Sequence, residues 1–167
     1  AIEPYLDRRY PASDIPAQAR RLYLINTLRL IADVGYQPVP VLGRDGDAPI
    51  DMSHSVLRSV SPIHVEYLQN MGVQASMSVS IVANGRLWGM LACHHMTPKQ
   101  VPYSIRMASD VLAQVLASSV QTLEAKTEAA AIERAAELGS RMLESMSQED
   151  NVVATLDAYA DELRQTL

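Results

Sequence analysis

A single cysteine, Cys93, stands in a chain of 167 residues. No disulfide framework can form within it, and the scarcity suits a reducing compartment such as the cytoplasm. Phenylalanine is absent altogether while tyrosine occurs 7 times, a bias that carries no functional inference. The 7 glycines are scattered, so a glycine-rich loop that cradles phosphate is missing. Positive charge is short too. A net charge of −5 disfavours nucleic acid and anionic membrane as main partners. There is no run of about eighteen apolar residues, and the start, Ala1-Ile2-Glu3-Pro4-Tyr5, has neither a basic nor an apolar leader region. Neither a membrane span nor a signal peptide is expected. Of the 4 histidines, His54, His64, His94 and His95, none is placed at a metal-binding helical spacing. On a strand the adjacent His94 and His95 point to opposite faces.

What the chain does have is apolar content, 48% of its residues, enough for the core of one domain with or without an extension. Its most informative stretch is Ser61-Pro62-Ile63-His64-Val65-Glu66-Tyr67-Leu68-Gln69-Asn70-Met71-Gly72. Ser61 is a good N-cap, Pro62 fits the first helical turn, and Gly72 can take the left-handed C-terminal cap. Helical spacing puts His64, Tyr67, Leu68 and Met71 on one face. An imidazole, a phenol and a thioether beside one aliphatic suggest the wall of a cavity for something flat and partly polar.

Elsewhere Ser13 or Asp14 can cap a helix with Pro16 in its first turn and Ala17 to Ile25 behind it. Residues 28–31 read as a short strand, residues 33–41 as a loop-like edge, and residues 43–49 as an exposed turn. Residues 53–60 are expected to form a helical turn or two, with Val56, Leu57 and Val60 inward. From Ser76 to Ala83 serines alternate with Met77, Val79 and Ile81, so both faces of this strand should be covered. Asn84-Gly85 marks a hairpin, and Leu87 to Cys93 is the returning strand.

Neither Gly nor Pro occurs from Tyr103 to Leu138. Ile105, Ala108, Val111, Leu112, Val115, Leu116, Ser119 and Leu123 form an apolar stripe at helical spacing. At 1.5 Å per residue this helix would be roughly 54 Å long, more than one small core can cover. The stripe continues less cleanly through Ile132, Leu138, Met142 and Leu143. The far half is therefore expected to pack on another chain or a missing domain, against the plainer reading of an amphipathic helix with a frayed end.

Two arginines carry the chemistry. Arg29 lies in the strand-like run with Leu28, Leu30 and Ile31, and Arg58 follows Val56 and Leu57. A guanidinium in such surroundings calls for an anion. The spacing leaves two partners open: Asp33 or Asp51 within the chain, or a ligand's carboxylates, helped by Tyr23 and the Ser76 and Ser78 face. Cys93, inside an apolar strand, reads as a small core residue rather than a thiol paired with His64.

Three stretches in order resemble the chromophore-binding GAF domain of bacterial phytochromes: Pro11-Ala12-Ser13-Asp14-Ile15-Pro16-Ala17-Gln18-Ala19-Arg20, then Ser61 through Val73, then Trp88-Gly89-Met90-Leu91-Ala92-Cys93-His94-His95. The resemblance implies an α+β fold, a GAF-type antiparallel sheet flanked by helices and followed by a long connecting helix. It assigns residues 1–101 to the GAF domain, 102–146 to a connector and dimerisation helix, and 147–167 to the start of a PHY domain. The front part of the GAF domain would then precede this chain.

The implied function is a red/far-red photoreceptor module. It binds a linear tetrapyrrole, biliverdin, and relays its photoisomerisation to an output domain, a histidine kinase of a two-component system. This stretch itself would not be an enzyme. The resemblance gives the Asp14 carbonyl to the pyrrole N–H groups, with Ile15 and Pro16 beside it, and turns the Asp14 carboxylate to the PHY domain. His64 sits by the pyrrole nitrogens. Tyr23, Arg29, Arg58, Ser61, Ser76 and Ser78 meet the propionates. Tyr5, Tyr10, Tyr67 and Met71 surround the rotating ring, and His94 bonds its carbonyl. Plant and cyanobacterial relatives carry a cysteine where this chain has Ile63, so the covalent cysteine is expected outside it, in an N-terminal segment. Homodimerisation through the long helix is implied as well. The alternative is a GAF-type module for another small ligand, with helical dimerisation and no photochemistry.

Overall fold

The structure, a computed structural model, describes residues 6–9, 11–46, 48–56, 58–148 and 152–166. Tyr5, Tyr10 and Leu57 lie outside the described residues. The chain forms two compact units, Ala1–Ser118 and Ser119–Leu167.

In the first unit α1 (Ala17–Ile25) leads into β1 (Leu28–Ile31), and a long irregular connection leads to α2 (Pro62–Asn70). The hairpin β2 (Ala75–Ala83) and β3 (Arg86–His95) follows, then α3 (Tyr103–Gln148), whose residues 103–118 belong to this unit. The strands form one antiparallel sheet in the order β1-β2-β3. Asn84 and Gly85 turn the hairpin with φ of 52° and 70°, the left-handed pair whose twist suits the flanking strands. The register slips between Ile81 and Val82, with Trp88 the extra residue on β3.

Period-two alternation sorts the sheet into two faces. Leu28, Met77, Val79 and Ile81 are buried on one, against Ala113 and Ala117 of α3. The alanines let the helix backbone come close to the strands. On the other face Arg29 pairs with Ser78 and Ile31 with Ser76. There Ile31 joins Val34, Leu68 and Val73 in a second cluster under α2, with Val65 and Met71 packed on it. Both sides of β2 are covered, as its alternation predicts.

The helix caps differ in detail from expectation. Ser61 occupies the N-cap of α2 and Pro62 its first position, but the Ser61 hydroxyl makes no capping bond. Its carbonyl instead accepts from the N–H groups of His64 and Val65 at 3.0 and 3.1 Å. At the far end Gly72 has φ 71°, and the Val73 N–H reaches back to the Leu68 carbonyl at 2.9 Å, the closure a left-handed glycine permits. Neither Ser13 nor Asp14 caps α1. Both lie in a separate 3-10 turn, Ala12–Asp14, and Pro16 takes the N-cap position itself.

Among the described residues from 53 to 60 no helix forms where helical turns were expected. The Asp51 carboxylate accepts the Ser53 N–H at 2.8 Å and the Met52 carbonyl accepts the Ser55 N–H at 2.9 Å. Such an Asx turn competes directly with helix. Val56 is exposed accordingly. Val60 is half-buried and packs on the second cluster, where its N–H donates to Tyr36 Oη at 3.0 Å.

The second unit holds the rest of α3 with α4 (Val152–Ala158) and α5 (Ala160–Thr166). Leu138 and Thr155 are buried within it, and Arg141 pairs with Glu162 while lying over the Tyr159 ring. In the far half of the long helix Leu138 is buried, whereas Ile132 and Leu143 are exposed. Among the described residues no helix is long and apolar enough to cross a membrane.

Candidate functional site

The polar face of the sheet is organised around Arg29. Its place on β1 follows from alternation: Leu28 and Leu30 enter the dry core, so residue 29 must face the other way. The guanidinium lies 3.5 Å from the centroid of the Tyr23 ring on α1. Nη1 donates to the Asn26 carbonyl at 2.8 Å. Nε and Nη2 donate to Ser78 Oγ at 3.2 and 3.0 Å, and Nη2 reaches Met90 Sδ at 3.6 Å. Every one of these partners is neutral.

Burial lowers the pKa of Arg29 to about 10, with Tyr23 opposing and the like charge of Arg58 adding to the fall. The group still carries its charge at neutral pH. Among the described residues no carboxylate forms an ion pair with either arginine. Asp33 uses Oδ1 to accept the Gly35 N–H at 2.8 Å. Asp51 is engaged with Ser53, whose hydroxyl and N–H hold its carboxyl below the usual range, Arg58 contributing least. Asp33 and Asp51 are thus hydrogen-bonded to their own turns, and Asp51 still feels the charge of Arg58.

His64 stands near Arg29. It keeps exposed surface, yet the atoms around it desolvate the ring enough to lower its pKa, and Arg29 and His94 add to the shift. The ring stacks on Tyr67 with centroids 6.5 Å apart and planes 11° from parallel. His94 lies opposite Ser76 on the same face, its pKa also lowered by burial. The expected common face of α2 therefore divides. Leu68 and Met71 turn to the second cluster, and His64 and Tyr67 remain at the polar surface.

Arg29, Arg58, Tyr23, Ser76, Ser78, His64, Tyr67 and His94 share this side of the sheet or border it. Ser61 stands one turn before His64. Asp14 and Pro16 are exposed and Ile15 is half-buried, and none of these three touches the arginines in a described contact. Met71 packs on the second cluster and keeps part of its surface exposed. Two residues were missed. Met90 escapes a simple count from the Asn84-Gly85 turn, which would put Gly89 opposite Ser80; the extra residue at Trp88 shifts Met90 there, onto the serine face. Asn26, buried between α1 and β1, gives no periodic signal.

Cys93 pairs with Met77, on the face away from His64, and is exposed rather than the small core residue expected, because the outer strand β3 is largely open there. No thiol–imidazole pair forms. A cavity of about 340 Å³ is lined by Leu30, Met77, Cys93 and Val101, with Ser76 and His94 of the other face also at its wall. It is largely apolar and does not reach Arg29 or Arg58, so the polar face is the stronger site.

The sequence pattern of the GAF domain family matches residues 12–120. The chain belongs to the GAF domain family. Its relatives include a bacteriophytochrome of Pseudomonas aeruginosa, 59% identical over 126 residues, which are 74% of this chain and 17% of that protein. Cyanobacterial phytochrome B of Nostoc is 48% identical over 93% of this GAF chain and 21% of its own length. The chain thus spans about a fifth of the curated relatives it matches. Among solved structures, the phytochrome photosensory core module of Stigmatella aurantiaca superposes with a TM-score of 0.84 at 43% identity, over 98% of this chain and 33% of that one. The GAF domain carries the sheet that holds Arg29, and its match ends within α3.

Proposed function

We propose that this GAF domain holds a linear tetrapyrrole, biliverdin by preference, on the Arg29 side of its sheet. It serves there as the light-sensing module of a longer cytoplasmic red/far-red photoreceptor. The observation that carries the reading is Arg29, a half-buried guanidinium whose hydrogen-bond partners are all neutral and whose pKa the like charge of Arg58 lowers further. Such a cation is stabilised by a ligand that brings carboxylates, and the two propionates of a bilin match Arg29 and Arg58 in number and charge. The phytochrome relatives point to the same ligand class.

When bound, the bilin supplies visible absorption and a double bond that isomerises on excitation. Arg29 and Arg58 bind the propionates, with Tyr23, Ser61, Ser76 and Ser78 filling the remaining hydrogen bonds. The Asp14 carbonyl accepts from the pyrrole N–H groups next to Ile15 and Pro16, and its carboxylate faces a PHY domain. His64, neutral in the open site, shares protons with the ring system. Tyr67 and Met71, with Tyr5 and Tyr10, border the ring that turns, and His94 donates to its carbonyl.

The covalent cysteine lies outside this chain, since Ile63 precedes His64. Residues 102–146 relay the change as a dimerising connector and residues 147–167 begin the PHY domain, leading to a histidine kinase. Val111, Leu112, Val115 and Leu116 are exposed on α3, which suits a helix–helix contact.

The test is absorbance of the full-length protein mixed with biliverdin. A red or far-red band that interconverts reversibly on illumination is expected. A colourless mixture with an intact fold would favour instead a GAF domain for another small ligand, acting through dimerisation alone.

A further inference from the structure

Asn26 sits where α1 has ended and β1 is about to start, and only 7% of it is exposed. A buried amide side chain is costly unless its polar atoms are bonded. Here each group reaches a different element. The N–H donates to the Leu22 carbonyl at 2.8 Å and closes α1. The carbonyl accepts Arg29 Nη1 at 2.8 Å. Side-chain Nδ2 donates to the Ser53 carbonyl.

Ser53 belongs to the Asx turn built on Asp51, and Arg58 follows that turn in the chain. Arg58 carries the same charge as Arg29 and adds to the fall of its pKa, the least of three causes, and a ligand with two carboxylates needs both cations at a fixed spacing. Within the chain, Asn26 binds one of them directly and the turn ahead of the other through its side chain. No other described hydrogen bond joins Arg29's strand to that turn.

We propose that Asn26 is a positioning residue for anion recognition, fixing the spacing of Arg29 and Arg58 so that both meet the carboxylates of one ligand. It does not touch the ligand. Its main-chain carbonyl orients the Arg29 fork, and its side-chain amide anchors the turn that presents Arg58. The inference rests on the proposed bilin site. It extends that reading to a residue outside the phytochrome-like stretches and distinguishes a spacing device from a buried amide that merely closes the fold.

The experiment uses the full-length protein with two probes, biliverdin and its dimethyl ester, which keeps the ring system and carries no carboxylate charge. The parent should bind the diacid more tightly than the diester. Asn26→Ala should lose about tenfold in affinity for biliverdin, as expected when hydrogen bonds to charged groups are misaligned, with affinity for the diester unchanged. Asn26→Asp, of the same shape but without the donor, should lose more, since its carboxylate competes for the guanidinium groups. Asn26→His, whose ring N–H can take the place of Nδ2, should restore the preference. If Asn26→Ala yields no folded protein, the comparison of Asn26→Asp with Asn26→His decides. A preference for the diacid that survives in the variants, or an equal loss for both probes, overturns the positioning role. A parent that binds neither probe, or both alike, overturns the bilin site itself and this inference with it.

Discussion

On one face of the sheet Leu28, Met77, Val79 and Ile81 close against Ala113 and Ala117 of α3. On the other, the same strands present Arg29, Ser76, Ser78 and Ser80, and the cover is partial. Ser80 Oγ donates to the Tyr23 carbonyl at 2.9 Å, tying α1 to this side, while α2 covers the end at Ile31. The dry face gains stability from apolar area removed from water. The polar face holds a desolvated cation, which costs stability unless an anion pairs with it. A strand's period of two lets one sheet carry both faces, with the dry core on odd positions of β2 and the polar face on even ones.

The largest effect should come from the dry face. Leu28→Ala is expected to cost about 2–5 kcal/mol in urea denaturation while leaving the preference for a carboxylate ligand unchanged. A variant as stable as the parent would mean that α3 does not seal this core.

Next comes the outer side of α3, where Val115, Leu116 and Leu123 are exposed in contrast to the buried Ala113 and Ala117. Leu116→Glu with Leu123→Glu should convert a dimer to monomer, because a charge would be buried at the contact, without abolishing its colour. Sedimentation decides, and a dimer of unchanged affinity would place the subunit contact elsewhere.

The polar face should respond in the opposite sense to the dry one. Arg29→Ala or Arg58→Ala should weaken biliverdin binding by roughly 1.5–3 kcal/mol and change the stability of the ligand-free protein by less than about 1 kcal/mol. If the free protein loses as much as Leu28→Ala does, the arginines belong to the fold rather than to a site.

The smallest effect is a pH slope. His64 and His94 both have pKa values lowered from 6.5 in the folded protein. The unfolded chain then binds protons that the folded one refuses, so the penalty is full below the folded values and absent above the unfolded one. Stability of the ligand-free protein should fall as pH drops through the window below about 6.5. His64→Gln should flatten that slope, as urea midpoints across the range will reveal. An unchanged slope would remove His64 from the desolvated cluster.

Much of this was readable from residues. Alternation and the Asn84-Gly85 turn located the hairpin, β1 fell on Leu28 to Ile31, and Pro62 and Gly72 bracketed α2. Arg29 stood out because it interrupts an apolar run. Other features left weaker traces. The stripe on α3 was legible, but its bulky residues face outward, and Ala113 and Ala117, too small to stand out in a periodicity, make the inner contact. Residues 53–60 looked helical because local propensity competes poorly with an Asx turn that only the folded loop reveals. Asn26 is specified by tertiary hydrogen bonds alone. The α+β GAF architecture was legible, and the division of α2 between core and site needed the second cluster to be seen.

The account stands most directly on the structure of the full-length protein with biliverdin bound. It predicts the propionates within hydrogen-bond distance of Arg29 and Arg58, with His64 beside the pyrrole nitrogens, all on the serine face of the sheet. A bilin seated on the α3 side, or one whose propionates turn to solvent away from both arginines, would contradict it.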